Sequence, residues 1–172
     1  HLNDQAAFNT KTQIVIPKKG HLLSKLYLHL RLPALTAQNG SYVCWSDTLG
    51  YSIFSAPIEL LIGGVLVDKL YPVGMDMMDE LTTSSNRTGH DRMILKSDMY
   101  RSTLFNATQE VNLMIPLDFW FTKDYSCALP LLSMPNQDIQ INFTFADFDT
   151  VINYDGDQPQ RLEILDSNLF AE

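Results

Sequence analysis

The side chains able to do chemistry in this chain are four histidines, a group of aspartates and two cysteines, and their spacing decides which chemistries are open to them. A transition-metal centre takes two or three imidazoles converging on one ion beside a carboxylate or thiolate. His1, His21, His29 and His90 are instead scattered along the chain. Only His29 lies in a segment of clear periodicity, and there it shares the outward side of a strand with Lys25, Tyr27 and Arg31. His90-Asp91 sets a base beside an acid in a loop, yet no G-x-S-x-G elbow offers a nucleophile. No G-x-x-x-x-G-K run cradles a phosphate, and Gly63-Gly64 lacks the lysine and helix start that would follow in such a loop. Asp147, Asp149, Asp155 and Asp157 lie in the loop after the last clear strand, and Asp155-Gly156-Asp157 resembles a fragment of a calcium loop. The closing bidentate glutamate is missing, so a solvated acidic loop is expected. The reading is of no catalytic residue, no metal ligand and no cofactor.

Modification and binding patterns are equally sparse. Asn39-Gly40-Ser41, Asn86-Arg87-Thr88, Asn106-Ala107-Thr108 and Asn142-Phe143-Thr144 match the glycosylation acceptor pattern, which is short enough to arise by chance. Cys44 and Cys127 are too few for a disulfide framework and are read as reduced, small buried hydrophobes. With 12 basic against 20 acidic residues the net charge is -8, which argues against a phosphate-binding face and direct nucleic-acid contact. The one adjacent basic pair, Lys18-Lys19, falls in a turn and is read as solvated. No stretch approaches the roughly 20 apolar residues of a membrane-spanning helix.

What remains is architecture. At 172 residues with 45% apolar side chains, the chain fits one domain with a full core. Thr12, Ile14 and Ile16 alternate with Gln13 and Val15, and Pro17 and Gly20 supply a turn. From residue 22 to 32, Leu22, Ser24, Leu26, Leu28, Leu30 and Leu32 alternate with Leu23, Lys25, Tyr27, His29 and Arg31, predicting one long half-buried strand of roughly 36 Å at about 3.3 Å per residue. Residues 36–52 read as a surface loop with a few buried anchors. The segment from Ile58 to Leu70 reads as a hairpin about Gly63-Gly64, because paired glycines supply the positive φ of a tight primed turn. Met75 to Leu81 predicts one short helix whose methionines fill core gaps, residues 82–88 a polar loop, and Met93 to Leu95 the start of a strand. Val111, Leu113 and Ile115, and later Ile139, Ile141, Phe143 and Phe145, face inward against polar neighbours. Pro116-Leu117-Asp118-Phe119-Trp120-Phe121 and Ala128-Leu129-Pro130-Leu131 read as a sandwich corner built from consecutive strands. The fold class is all-β: an antiparallel jelly-roll β-sandwich of two facing sheets, about eight strands, with one short helix.

Several of these segments also resemble a known family. Residues 116–121 (PLDFWF), 128–135 (ALPLLSMP) and 138–145 (DIQINFTF) are similar to the end of the first jelly roll of the major capsid proteins of nucleocytoplasmic large DNA viruses. Residues 16–23 (IPKKGHLL) resemble that family's first turn, with Gly20-His21 where it carries Gly-Asp, and residues 59–68 (ELLIGGVLVD) resemble its diglycine hairpin. Leu162 to Leu165 and Leu169 to Glu172 resemble the approach to the last strand of its first barrel.

The resemblance implies a structural virion protein and not an enzyme. Residues 1–172 would be one jelly roll, the N-terminal barrel of a longer double jelly-roll chain. Three such chains would form a homotrimer, a pseudo-hexagonal capsomer contacting neighbouring capsomers and minor capsid proteins, with no small-molecule substrate, in the virion capsid after assembly in the host cytoplasm. Loops 36–56 and 82–110 would project from the barrel ends. The alternatives are a single jelly-roll penton or minor capsid protein, and a carbohydrate-binding β-sandwich using Tyr42, Trp45 and Tyr51, with Trp120 read as core or interface.

Overall fold

The computed structural model describes residues 6–40, 42–46, 48–82, 88–96 and 109–172. In chain order its strands are β1 (Lys11–Val15), β2 (Leu22–Leu23), β3 (Leu26–Leu32), β4 (Val43–Trp45), β5 (Ile58–Ile62), β6 (Val65–Leu70), β7 (Val111–Pro116), β8 (Leu129–Pro130), β9 (Ile139–Thr144), β10 (Ile152–Tyr154) and β11 (Asp166–Ala171). Three helices, α1 (Leu49–Ser52), α2 (Pro72–Thr82) and α3 (Thr88–Ile94), fall between β4 and β7.

Alternating apolar residues place one side of each long strand in oil and the other in water, so two sheets must close on each other. A four-stranded sheet runs β1-β9-β5-β6 and a three-stranded sheet β11-β3-β7, every pairing antiparallel. Successive strands switch between them: β1, β5 and β9 lie in one, β3, β7 and β11 in the other. Ile14, Ile58, Leu60, Ile139, Ile141 and Phe143 from the first sheet share one core with Leu26, Leu28, Leu30, Leu113 and Ile115 from the second. Each such side chain contributes about 1.5–3 kcal/mol by leaving water. The all-β sandwich and its inward-facing residues are as expected, and Gly63 and Gly64, at φ 59° and 79°, make the primed turn of the β5–β6 hairpin.

Across the outer face of the four-stranded sheet runs a polar row. Register sets Gln13 opposite Asn142, Asn142 opposite Glu59, and Glu59 opposite Lys69. Gln13 Nε2 donates to Asn142 Oδ1 at 3.0 Å, Asn142 Nδ2 to Glu59 Oε2 at 3.4 Å, and Lys69 Nζ lies 3.1 Å from Glu59 Oε1. The Lys69 hydrogen bond, then that of Asn142, holds the Glu59 carboxyl below its usual range.

Five expectations need correction. The strand over residues 22–32 is two pieces: Lys25 and Glu172 exchange backbone hydrogen bonds that extend the β3–β11 pairing, while Ser24 N also donates to the Glu172 carbonyl, a two-against-one bulge that breaks the alternation and leaves Leu22 57% exposed while Leu23 is buried. Residues 36–52 are not simply a loop, because β4 pairs with β10 and α1 follows it. There are three helices among the described residues, not one, and α2 starts earlier than expected, its Pro72 supplying a first-turn residue that needs no amide partner. Met93 to Leu95 opens no strand: Met93 and Ile94 end α3, and Leu95 turns the chain at φ 52°. The corner from Leu117 to Asp138 is built from three 3-10 turns and the two-residue β8, which pairs with β2. Prolines 116, 130 and 135 deny it ladder donors. Leu117, Phe119 and Phe121 still reach the core from it, with the Phe119 and Phe121 rings stacked 5.8 Å apart.

Candidate functional site

The densest gathering of ionisable groups lies where the three helices meet, beside the sandwich. Asp76, Asp79 and Glu80 stand three or four residues apart on α2, one face of a helix. Their carboxylate oxygens lie close enough together to hold a cation. The cation is the protein's own: Lys96 Nζ lies 2.6 Å from Asp76 Oδ1, 2.9 Å from Asp79 Oδ2 and 2.8 Å from Glu80 Oε1. The left-handed Leu95 delivers it there, turning the chain so that Lys96 N donates to the Asp91 carbonyl at 2.9 Å. Burial pulls the Lys96 ammonium toward neutrality, but its hydrogen bonds to Asp76, Glu80 and Asp79 outweigh this and hold it charged to well above the ordinary lysine range. The same Nζ sits 5.8 Å from the centre of the Tyr51 ring on α1. Burial, then the charge of Asp79, pushes the Tyr51 hydroxyl far above its usual range. From α3, His90 Nε2 approaches Asp79 Oδ1 to 2.6 Å, off the line of a good hydrogen bond. One lysine thus ties α1, α2 and α3 together. It is a structural clamp, in which three carboxylates already share the lysine ammonium.

The other candidates do not come together. His1 lies outside the described residues. His21 is exposed in the turn before β2, while His29 on the outer side of β3 packs edge-on against Phe170 at 6.0 Å. His90 and Asp91 are helical, not a loop pair. The aspartates of the acidic segment point to separate partners: Asp155 Oδ1 accepts from Tyr42 N at 2.7 Å, Asp157 Oδ2 accepts from Asn39 Nδ2 at 2.7 Å, Asp149 Oδ1 accepts from Gln158 Nε2 at 2.7 Å, and Asp147 pairs with Arg161. The first two of these bonds lock residues 38–40 and 42 onto 155–157. The lock requires two glycines, since a Cβ on Gly40 would stand 1.9 Å from the Asp155 carbonyl oxygen and Gly156 sits at φ 84° against Gly40.

The carbohydrate alternative loses its platform. Trp45 and Tyr51 are core residues and only Tyr42 of that trio is exposed, because β4 and α1 turn the other two inward, where Trp45 packs on Phe8 and Phe148. Trp120 is not core either: it projects outward between its buried neighbours. Cys44 is half-buried and Cys127 exposed, and they form no disulfide with each other, so Cys127 is no buried hydrophobe. Of the four acceptor patterns, Asn142 is buried in the polar row, Asn39 is engaged by Asp157, and Asn86 and Asn106 lie outside the described residues. Lys18 Nζ donates to the Pro135 carbonyl at 2.9 Å. A groove of about 410 Å³ between β1 and β11 is floored by Ile14, Ile16, Leu23 and Leu131, with few polar side chains to orient a substrate.

Two features escaped the sequence reading. Lys96 was signalled by three acids on one helical face, which need a counter-cation. The second is a surface: with α2 starting at Pro72, Val73, Met77 and Leu81 fall at intervals of four on its outer side, so Met77 and Met78 are exposed and only Met75 fills the core.

Comparison with known proteins places the chain in a family. The family described as "Major capsid protein N-terminus" matches residues 1–163. Among relatives, a probable capsid protein of Acanthamoeba polyphaga mimivirus is 25% identical over 146 residues, covering 80% of this chain and 28% of that protein. The major capsid protein of Pyramimonas orientalis virus is 28% identical over 151 residues, covering 87% and 37%. The chain therefore spans only about a third of the length of these relatives. Among solved structures, PBCV-1 VP54 superposes with a TM-score of 0.72 at 22% identity over 100% of this chain and 41% of that one. The Faustovirus major capsid protein superposes with a TM-score of 0.66 at 13% identity over 88% and 42%. At such identities the likeness speaks for the fold, the sandwich of viral capsid subunits.

Proposed function

The chain belongs to the family of major capsid protein N-terminal domains, and from that premise we propose that it is a structural brick of a virion shell, acting through shape and not through catalysis. The observation that carries the reading is the single core shared by two antiparallel sheets in a member of this family, beside an ionic cluster whose cation is internal. A brick must be stiff. Close packing and a polar row spanning all four strands of one sheet supply that stiffness.

In this reading residues 1–172 form the first jelly roll of a longer polypeptide with a second barrel, which the partial coverage of the relatives supports. Three such polypeptides form a homotrimer of near-hexagonal outline that meets neighbouring capsomers and minor capsid proteins. Contacts about a three-fold are heterologous, so each face meets a different face. The product resides in the virion after assembly in the host cytoplasm. Electron microscopy of the full-length product tests this: hexagonal trimers are expected, and monomers under assembly conditions would overturn it. The mass of the native polypeptide separates a double barrel from a single-barrel penton or minor component.

A further inference from the structure

The lock between residues 38–40 and 155–157 carries a chemistry of its own. Glycine after asparagine or aspartate leaves its amide nitrogen unhindered, so that nitrogen can attack the preceding side-chain carbonyl carbon and close a five-membered succinimide. The chain contains one Asn-Gly step, Asn39-Gly40, and one Asp-Gly step, Asp155-Gly156. Distant in sequence, the two are folded against each other: a Cβ on Gly156 would stand 2.7 Å from Gly40 Cα, and one on Gly40 1.9 Å from the Asp155 carbonyl oxygen. Asn39, Gly40 and Gly156 are exposed, so water reaches both steps. Both reacting ends of Asn39-Gly40 are nevertheless pinned. Asn39 Nδ2 donates to Asp157 Oδ2 at 2.7 Å, which holds the side-chain amide on the opposite segment, while Gly40 is wedged against Asp155 with no space for its backbone to swing. Asp157 N donates to the Gln38 carbonyl at 3.1 Å and Asp155 N to the Tyr42 carbonyl at 3.3 Å, closing the lock on either side.

We propose that Asn39 is a site of spontaneous deamidation, restrained by this lock and able, once reacted, to open it for good. In the reaction Gly40 N loses its proton to solvent hydroxide and bonds to Asn39 Cγ, the Cγ–Nδ2 bond breaks, and ammonia leaves with a proton from water. Water then adds across one of the two imide C–N bonds, giving an aspartyl or an isoaspartyl linkage. The net change is one water consumed and one ammonia released, with no oxidant or cofactor. Either product removes the Nδ2 donor and sets a carboxylate beside that of Asp157, so a like-charge contact replaces a hydrogen bond. The isoaspartyl product also lengthens the backbone by one carbon, which displaces Gly40 from its close fit against Asp155 and Gly156. Asp155-Gly156 can form the same ring but is the slower step, since an ionised carboxylate is a poor electrophile and Asp155 Oδ1 is held by Tyr42 N at 2.7 Å. The inference stands on this geometry alone and is independent of the shell-subunit reading.

The test follows Asn39 in the native polypeptide by peptide mass spectrometry during incubation at mildly alkaline pH, beside the same polypeptide in urea and an Asp157→Ala variant. The expected result is a folded wild type that deamidates at Asn39 at least tenfold more slowly than in urea, and an Asp157→Ala variant that unfolds cooperatively yet deamidates several-fold faster than folded wild type. An Asn39→Asp variant carries the product from the start. Its Asp155 and Asp157 amide hydrogens should exchange with solvent at least tenfold faster than in wild type, with exchange in β3 and β9 unchanged. Folded wild type reacting as fast as in urea overturns the proposal, as does a folded Asp157→Ala variant reacting at the wild-type rate. Unchanged exchange in Asn39→Asp overturns it as well, because the reaction would then leave the lock shut. Should Asp157→Ala fail to fold, the urea comparison and the Asn39→Asp exchange decide between these outcomes.

Discussion

Replacing Lys96 by methionine keeps the unbranched stem as far as the ε position and deletes the charge on which three helices converge. The Asp79 side chain is 4% exposed and that of Lys96 13%, their charged atoms 2.9 Å apart, so the substitution leaves a carboxylate in a poorly solvated place. Removing one partner of a buried ion pair costs about 3–5 kcal/mol. Asp76 and Glu80, at 37% and 55% exposure, remain solvated, and their contacts add about 0–1 kcal/mol each. The expected destabilisation is about 3 kcal/mol, read as a lowered urea midpoint from the fluorescence of the buried Trp45. The K96M/D79L double variant removes both charges and is expected to lie within about 1 kcal/mol of wild type, because an apolar pair of similar volume replaces an ionic one. The sign of the pH dependence also follows. A folded-state pKa raised above the unfolded value gives stability that is fully present below the ordinary lysine value of about 10.4 and disappears as pH rises through the folded value. The gap between wild type and Lys96→Met should thus be constant from neutral pH up to that point and shrink beyond it. A single variant costing under about 1 kcal/mol, or a double variant as unstable as the single, would refute the clamp.

Phe143→Ala, in the centre of β9 and stacked near Phe54 and Phe145, should cost about 3–5 kcal/mol by the same urea assay. Gly156→Ala should cost more than about 1 kcal/mol, because its φ of 84° is strained for alanine and the added carbon would meet the Gly40 backbone. Calcium should leave the melting temperature unchanged, since Asp155 and Asp157 already accept hydrogen bonds from Tyr42 and Asn39; a rise that disappears with chelator would revive the ion site. Glu59→Gln should lower stability at neutral pH. The difference should vanish on acidification, because a depressed carboxyl pKa gives stability that is present above the unfolded value of about 4.3 and lost as pH falls through the folded one.

The sequence by itself determined the sandwich. Strand burial repeats every second residue, so Leu26 to Leu32, Val111 to Ile115 and Ile139 to Phe145 declare their inner faces without knowledge of their partners, and Gly63-Gly64 declares a turn through a φ that other residues avoid. Only the tertiary structure could interrupt the long strand at Ser24, since the bulge there forms against residue 172, distant in sequence. It alone could bury Trp45 and Tyr51 and expose Trp120, because those orientations depend on a β10 strand and a helical corner distant in sequence. The clamp and the outward face of α2 are products of the same physics. A helix has two sides, its sequence marks them equally apolar or charged, and a lysine placed opposite by a left-handed turn decides which side faces water.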